Sequence, residues 1–389
     1  MPEPRLPRLA LTDRAGRLRI LAVQESGHGS DVLPPVDAAE VEHGALPRLS
    51  WPSWADRGRL VVSATTANGR PALWLLDPGH AKPVLLYRPP PGQPVEIAPG
   101  VPHYANPSPD GRAIALATPG ERALVLLLAD PNQPGDPPEV TRGAPIFSTW
   151  SPSGDALLVH AGAVIQRMDR AAPGALTTVG LNSVDIRVPA WSPDGQHFAT
   201  IRHGESRNAV VLHGRDGHHL ARIGAVRGTG ALAWSPDGAL LAVSGSEGGN
   251  AHTSIDLIRV RGNETENLVK DRILLWLWSP DGSRIAYLRR AGVEGALAWR
   301  IVHLDGRTAL SSGPFYPGPL FAVVIAFFDQ YLHSQRLWSP DGRFLLAAGR
   351  IAVNGPPPDV WGGNILLWDT AGGHPLQVLA QGEIASWHA

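Results

Sequence analysis

Apolar residues in this chain come in short runs, alternating with polar ones and cut by turn residues every few positions. Residues 188–224, VPAWSPDGQHFATIRHGESRNAVVLHGRDGHHLARIG, show the pattern. One apolar stretch stops at Trp191, and Pro193-Asp194-Gly195 follows. Proline fixes φ, aspartate can bond its own backbone and glycine accepts the left-handed conformation, so a tight turn is predicted. HFATIRH, AVVLHG and, after Arg215-Asp216-Gly217, HLARI read as three further strands. The unit is a four-stranded antiparallel meander of about 40 residues.

The unit recurs. WSPDG stands at 191–195, 234–238, 278–282 and 338–342, WSPSG at 150–154, and worn copies PSPDG and WADRG at 107–111 and 54–58. The well-kept copies lie about 43 residues apart, and longer gaps place insertions at about 90–104 and 312–332. A meander this small cannot bury both faces alone and must stack on its copies. Radial stacking gives a β-propeller. In such a ring Trp54, Trp150, Trp191, Trp234, Trp278, Trp338 and Trp387 are wedges between blades, each able to bury about 150–250 Å², while Asp194, Asp237, Asp281 and Asp341 hold the turns. Trp387 falls where an eighth inner strand is due, and RLALTD, RLRILAV and AAEVEHG near the start read as its missing neighbours. The expected fold is therefore all-β: a single β-propeller over residues 1–389 with eight blades. The last blade is shared by N-terminal strands within about 5–47 and a C-terminal strand at about 383–387, which leaves no sheet edge free. Seven blades with unpaired ends is the alternative.

Trp-Ser-Pro-Asp-Gly followed by an alternating apolar strand resembles the TolB-like, or PD40, propeller repeat of bacterial proteins, and the resemblance covers essentially the whole chain. It implies the propeller fold and a non-enzymatic scaffold that binds another protein or a peptide. The WD40 pattern is not matched, since Trp368-Asp369 is a lone case. The chain also departs from TolB itself, which has an N-terminal α/β domain and six blades, so a role in the Tol–Pal system does not carry over. Similar propellers precede the hydrolase domain of prolyl-oligopeptidase-type enzymes; no such domain follows here. A fold of this kind does not name a function. Two rivals stay open: a hydrolase or lyase with its site in the central funnel, and a purely structural subunit of a complex.

Composition narrows the classes. Glycine (43) and proline (38) are abundant and charged residues make up only 18%, which suits many short strands joined by turns. A net charge of -1 offers no footprint for nucleic acid. Cysteine is absent, which excludes disulfides and thiolate chemistry. The first residues lack the apolar core of a signal peptide, and the longest apolar run, Leu320 to Phe328, is too short to span a bilayer. A cytoplasmic protein without membrane insertion is expected, with monomer and oligomer equally open.

Chemistry-bearing motifs are sparse. Gly-x-Ser-x-Gly is missing, the nearest string being Ser244 to Gly248, and His-Glu-x-x-His and phosphate loops are missing too. His213, Asp216, His218 and His219 are dense but straddle one hairpin, which reads as a solvated turn, so neither a metal nor another cofactor is expected. Two groups remain as candidate ligand or partner residues. Asp329, Tyr331, His333 and Ser334 follow the apolar run in the second insertion, and are expected at one tunnel mouth. Positions four and six before each corner share a strand face; their polar members include Arg48, His103, Asp185, Arg187, Arg272, Ser334 and Glu383.

Overall fold

The computed structural model describes the chain except residues 1–5, 42–47, 57, 66–69, 80–81, 98–99, 134, 182–187, 247–250, 306, 353–362 and 389. Its elements follow from the corner phrase. Ser192 Oγ donates to Asp194 Oδ1 (2.6 Å), the Gln196 amide donates to the same oxygen (3.0 Å), and the His197 amide donates to Ser192 Oγ (3.0 Å). Gly195 sits at φ 65°, where a Cβ is unwelcome. Serine, aspartate and glycine thus each fill a role in one turn that sends the chain back antiparallel, pairing Trp191 with Phe198. Ser235 with Asp237, Ser279 with Asp281 and Ser339 with Asp341 repeat it. In the WSPSG copy Asp155 takes over, accepting from both Ser151 and Ser153. These bonds to the ionised form hold the Asp194 and Asp237 carboxyls below the ordinary range, the serine hydroxyl contributing most.

Among the described residues the strands form five four-stranded antiparallel sheets and one of eleven strands. The long strand Glu264–Trp278 explains the large sheet: its first part pairs as an outer strand with His252–Arg259, and its second part pairs as an inner strand with Arg284–Arg290. Another sheet joins distant parts of the chain. Ile384–Trp387 pairs with Arg8–Thr12, Leu9 facing Trp387, and Leu18–Val23 and Gly29–Asp31 complete it. Trp387 is fully buried there.

The tryptophans tie sheet to sheet by hydrogen bonds as well as by packing. Six corner indoles donate to the carbonyl just before a neighbouring corner residue: Trp150 to Asn106 (2.8 Å), Trp191 to Thr149 (3.3 Å), Trp234 to Ala190 (3.0 Å), Trp278 to Ala233 (3.1 Å), Trp387 to Leu337 (3.1 Å) and Trp54 to Ser386 (3.1 Å). Trp54, Trp150, Trp191 and Trp338 are buried, while Trp234 and Trp278 keep some exposure.

Two stretches depart from the strand reading. AAEVEHG begins not as a strand but as a one-turn helix, α1 (Ala38–Val41), whose Ala38 and Val41 pack beside Leu18 and Leu49; Gly29–Asp31 supplies the outer strand instead. The apolar run Leu320 to Phe328 is helical. Helix α2 (Pro319–Ala326) starts at Gly318 with proline in its first turn, and α3 (Phe328–Tyr331) follows. No described helix is long and apolar enough to cross a membrane.

Candidate functional site

Helices α2 and α3 lie across the space that the inner strands enclose. Tyr331 packs against Trp51 at a tilt and against Tyr104 edge-on, each ring pair 5.0 Å apart. The Gln330 side chain clasps the Ser148 backbone, accepting its N–H (2.8 Å) and donating to its carbonyl (3.1 Å). Tyr104 Oη donates to the Gln330 carbonyl (2.7 Å). Phe328 meets Trp276 and His252 on another side, and Gln335 Nε2 donates to Pro52 O (3.1 Å) and Ser53 Oγ (2.9 Å). Phe321, Val324, Phe328 and Tyr331 are buried. The segment leading into α2 is held closely too: Phe315–Pro317 pairs with the strand Phe344–Ile351, where a Cβ on Gly349 would fall 1.9 Å from the Tyr316 carbonyl. One end of the central space is therefore filled by packed protein.

Beyond this insertion, toward the corner turns, lies a cavity of about 760 Å³. Trp54, Asn106 and Trp150 from inner strands, His333, Ser334, Arg336 and His388 line it, and the turns at Asp56 and Pro109-Asp110 form its rim. The rim carboxylates are engaged: Asp56 with Arg59 (2.6 Å), Asp110 with Arg170 (2.6 Å). Trp54 packs edge-on against His388 at 4.5 Å. His333 presents its ring to the cavity, yet protein crowds it, and burial pushes its pKa down to about 4. It is neutral at pH 7.

The expected site residues separate. Asp329 and Tyr331, expected at a tunnel mouth, are instead within the packed insertion, 8% and 5% exposed, because the apolar run folds as helices with these residues turned into the core. Burial, with Tyr104 close by, pushes the Tyr331 phenol up. His333 and Ser334 do reach the cavity. The Ser334 hydroxyl donates to the Tyr331 carbonyl (3.4 Å). His103, expected to face the tunnel, is 3% exposed and bonded to Ser63 Oγ (2.7 Å), with burial lowering its pKa to about 3; it is a core histidine. Arg48 and Glu383 come together as an ion pair at 2.7 Å, away from the cavity lining. Arg272 is an exposed strand residue, also outside that lining. Asp185 and Arg187 lie outside the described residues. Among the described residues no three histidine or acidic side chains cluster as metal ligands.

Arg336 was not among the expected residues, although a signal for it stands in the sequence. It lies two before the corner tryptophan. The other corners carry Pro52, Ala105, Ser148, Pro189, Leu232, Trp276 and Ala385 at that position, all uncharged. Its backbone is fixed from the adjacent strand: the Arg336 amide donates to Ser386 Oγ (3.0 Å) and its carbonyl accepts from Trp387 N (2.9 Å). Its side chain lines the cavity and stays exposed there, the cavity walls lower its pKa from the usual value, and no carboxylate pairs with it among the described residues.

No family model matches this sequence, and no curated protein matches it. Solved structures do. Dihydro-heme d1 dehydrogenase NirN in complex with DHE is 15% identical, with 99% of this chain and 75% of that one covered and a TM-score of 0.60. A prolyl endopeptidase is 14% identical over 90% of this chain, at a TM-score of 0.53, and the present chain spans about half (51%) of it. The chain has a β-propeller fold. TolB proteins stand among its structural neighbours, that of Acinetobacter baumannii being 16% identical over 88% of this chain and 81% of its own, at a TM-score of 0.42. At such identities the likeness is one of fold.

Proposed function

We propose that this chain is a single closed propeller of eight blades over residues 1–389, serving as a non-enzymatic scaffold that binds another protein or a peptide at its corner-face cavity. Eight corner positions, from Trp54 through Pro107 to Trp387, support the count, and the pairing of Leu9 with Trp387 supports closure. One observation carries the binding reading: the insertion fills one end of the central space and leaves, at the other, a recess of about 760 Å³. That volume falls within the range of ligand pockets. Its lining sets the indoles of Trp54 and Trp150 from inner strands beside polar side chains that include Asn106, His333, Ser334 and Arg336. The described hydrogen bonds turn the Ser334 hydroxyl to a backbone carbonyl rather than to His333, so they support binding over nucleophilic chemistry. Of the expected residues, His333 and Ser334 stay in this proposal as contacts; cytoplasmic residence belongs to it as well.

The test narrows the mouth. Pro109 is an exposed turn residue on the rim, at a position that most residues tolerate. Pro109→Trp is expected to keep the melting temperature and to lose the partners that the unaltered protein retains from lysate of its source cells. Equal retention by both proteins overturns the reading.

A further inference from the structure

The cavity holds one cation that no carboxylate pairs with among the described residues. Gln330 and Tyr331 sit in the packed insertion behind it, and His333 and Ser334, just after α3, line its inner part. With the insertion packed behind it, the recess can seat a chain end or a tight loop. Inside, the Asp56 and Asp110 carboxylates at the rim are held by Arg59 and Arg170, and His333 is neutral. The Arg336 guanidinium remains as the cation without a carboxylate among the described residues, braced at its backbone by Ser386 and Trp387. A guanidinium offers a planar fork matched to a carboxylate. The nearby indoles of Trp54 and Trp150 suit the apolar part of a terminal residue.

We infer that Arg336 receives the C-terminal carboxylate of a partner polypeptide inserted end-on into the corner-face cavity, an inference that rests on the binding reading above. An N-terminal ammonium would meet like charge there, and an internal loop would bring no carboxylate unless it carried Asp or Glu. The repeat supports the same conclusion: a charge placed where the seven other corners carry none is a departure that packing alone does not require.

The experiment uses the full-length protein and two random heptapeptide libraries anchored by their N-termini, one ending in free carboxylates and the other in amides. Retention on the free-acid library is expected to exceed that on the amide library by about tenfold or more, the range of a charge-assisted hydrogen bond. Arg336→Gln is expected to abolish that preference and Arg336→Lys to restore part of it, each with an unchanged melting temperature, since the side chain projects into the cavity. Equal retention on both libraries, or a preference that survives Arg336→Gln, overturns the inference. So does loss of the preference in millimolar inorganic phosphate but not in an equal concentration of acetylated peptide acid, which would mark a phosphate site. No retention on either library also overturns it. The scaffold reading is judged separately by Pro109→Trp, because that substitution blocks any occupant whatever its charge.

Discussion

The repeat that starts at Thr229–Trp234 and the one whose corner is Trp338 lie in the same eleven-stranded sheet and are built from the same five letters, yet they differ at the centre. In the first, six residues run as a regular inner strand paired from Thr229 to Trp234 with the strand Leu240–Ser246, and the indole donates to Ala190. In the second, the inner strand is reduced to a single bridge between Trp338 and Leu345. The residues that would have formed it are spent on α3 and the turn after it. The Trp338 N–H has no acceptor among the described residues, and Arg284 lies over its ring at 5.4 Å instead. The lesson is that a local turn motif survives the loss of the strand that precedes it. The repeat therefore tolerates an insertion that fills one end of the central space and brings Arg336, His333 and Ser334 to the other.

The largest effect is expected at Trp338 itself. It is 5% exposed, and Trp338→Ala should cost about 3–5 kcal/mol in urea unfolding. Trp234→Ala should cost less, since that ring is already partly in water. A smaller loss at 338 than at 234 would mean that the reduced inner strand is loosely packed, and would break the comparison.

Next comes Gln330. Removing its amide leaves the Ser148 N–H without a partner in a buried place, at about 1–3 kcal/mol, while the Ser148 carbonyl keeps its bond from Asn106 Nδ2 (3.2 Å). Gln330→Ala should therefore destabilise by about 1–3 kcal/mol, with faster hydrogen exchange at Ser148. Unchanged exchange there would show that the insertion is not clasped to the distant strand.

Much of this was legible in the sequence, and the part that was not has a physical cause. Serine, proline, aspartate and glycine act within five residues, so the corner turn is visible without tertiary context. Trp387 was legible as an inner-strand residue because it keeps the repeat's register. Helix α2 was not: PLFAVVIA is apolar on every side, and a short apolar run does not separate buried helix from buried strand by periodicity. Gly318-Pro319 was the available start signal. His103 misled because alternation gives a face and not its neighbours; Ser63, on the strand Leu60–Thr65 of another sheet, claims that ring. Arg336 lay outside the positions weighed, which were four and six residues before each corner rather than two.

Acid should expose the buried histidine. His103 has a folded pKa of about 3 against an ordinary 6.5, so between these values the unfolded chain binds the extra proton. Its contribution to stability is whole above pH 6.5 and is lost as pH falls toward 3, at up to about 1.4 kcal/mol per pH unit. His333 shifts the same way, but it faces the cavity and solvent offsets part of its share. His103→Asn should flatten the decline in stability between pH 6 and pH 4, relative to the unaltered protein. Parallel declines would mean that other groups dominate the acid limb.

The smallest effect discriminates best between the two corners. Replacing tryptophan with benzothienylalanine keeps the ring's size and removes only its N–H. At position 234 this deletes the bond to the buried Ala190 carbonyl, and a loss of about 1 kcal/mol is expected. At position 338 the N–H is buried without an acceptor among the described residues, so its removal should be neutral or slightly stabilising. The ring faces toward Arg284 are retained in the sulfur analogue, so the cation–π contact does not confuse the result. Equal losses at both positions would give the Trp338 indole a hydrogen bond after all, and would return that corner to the regular pattern of its neighbours.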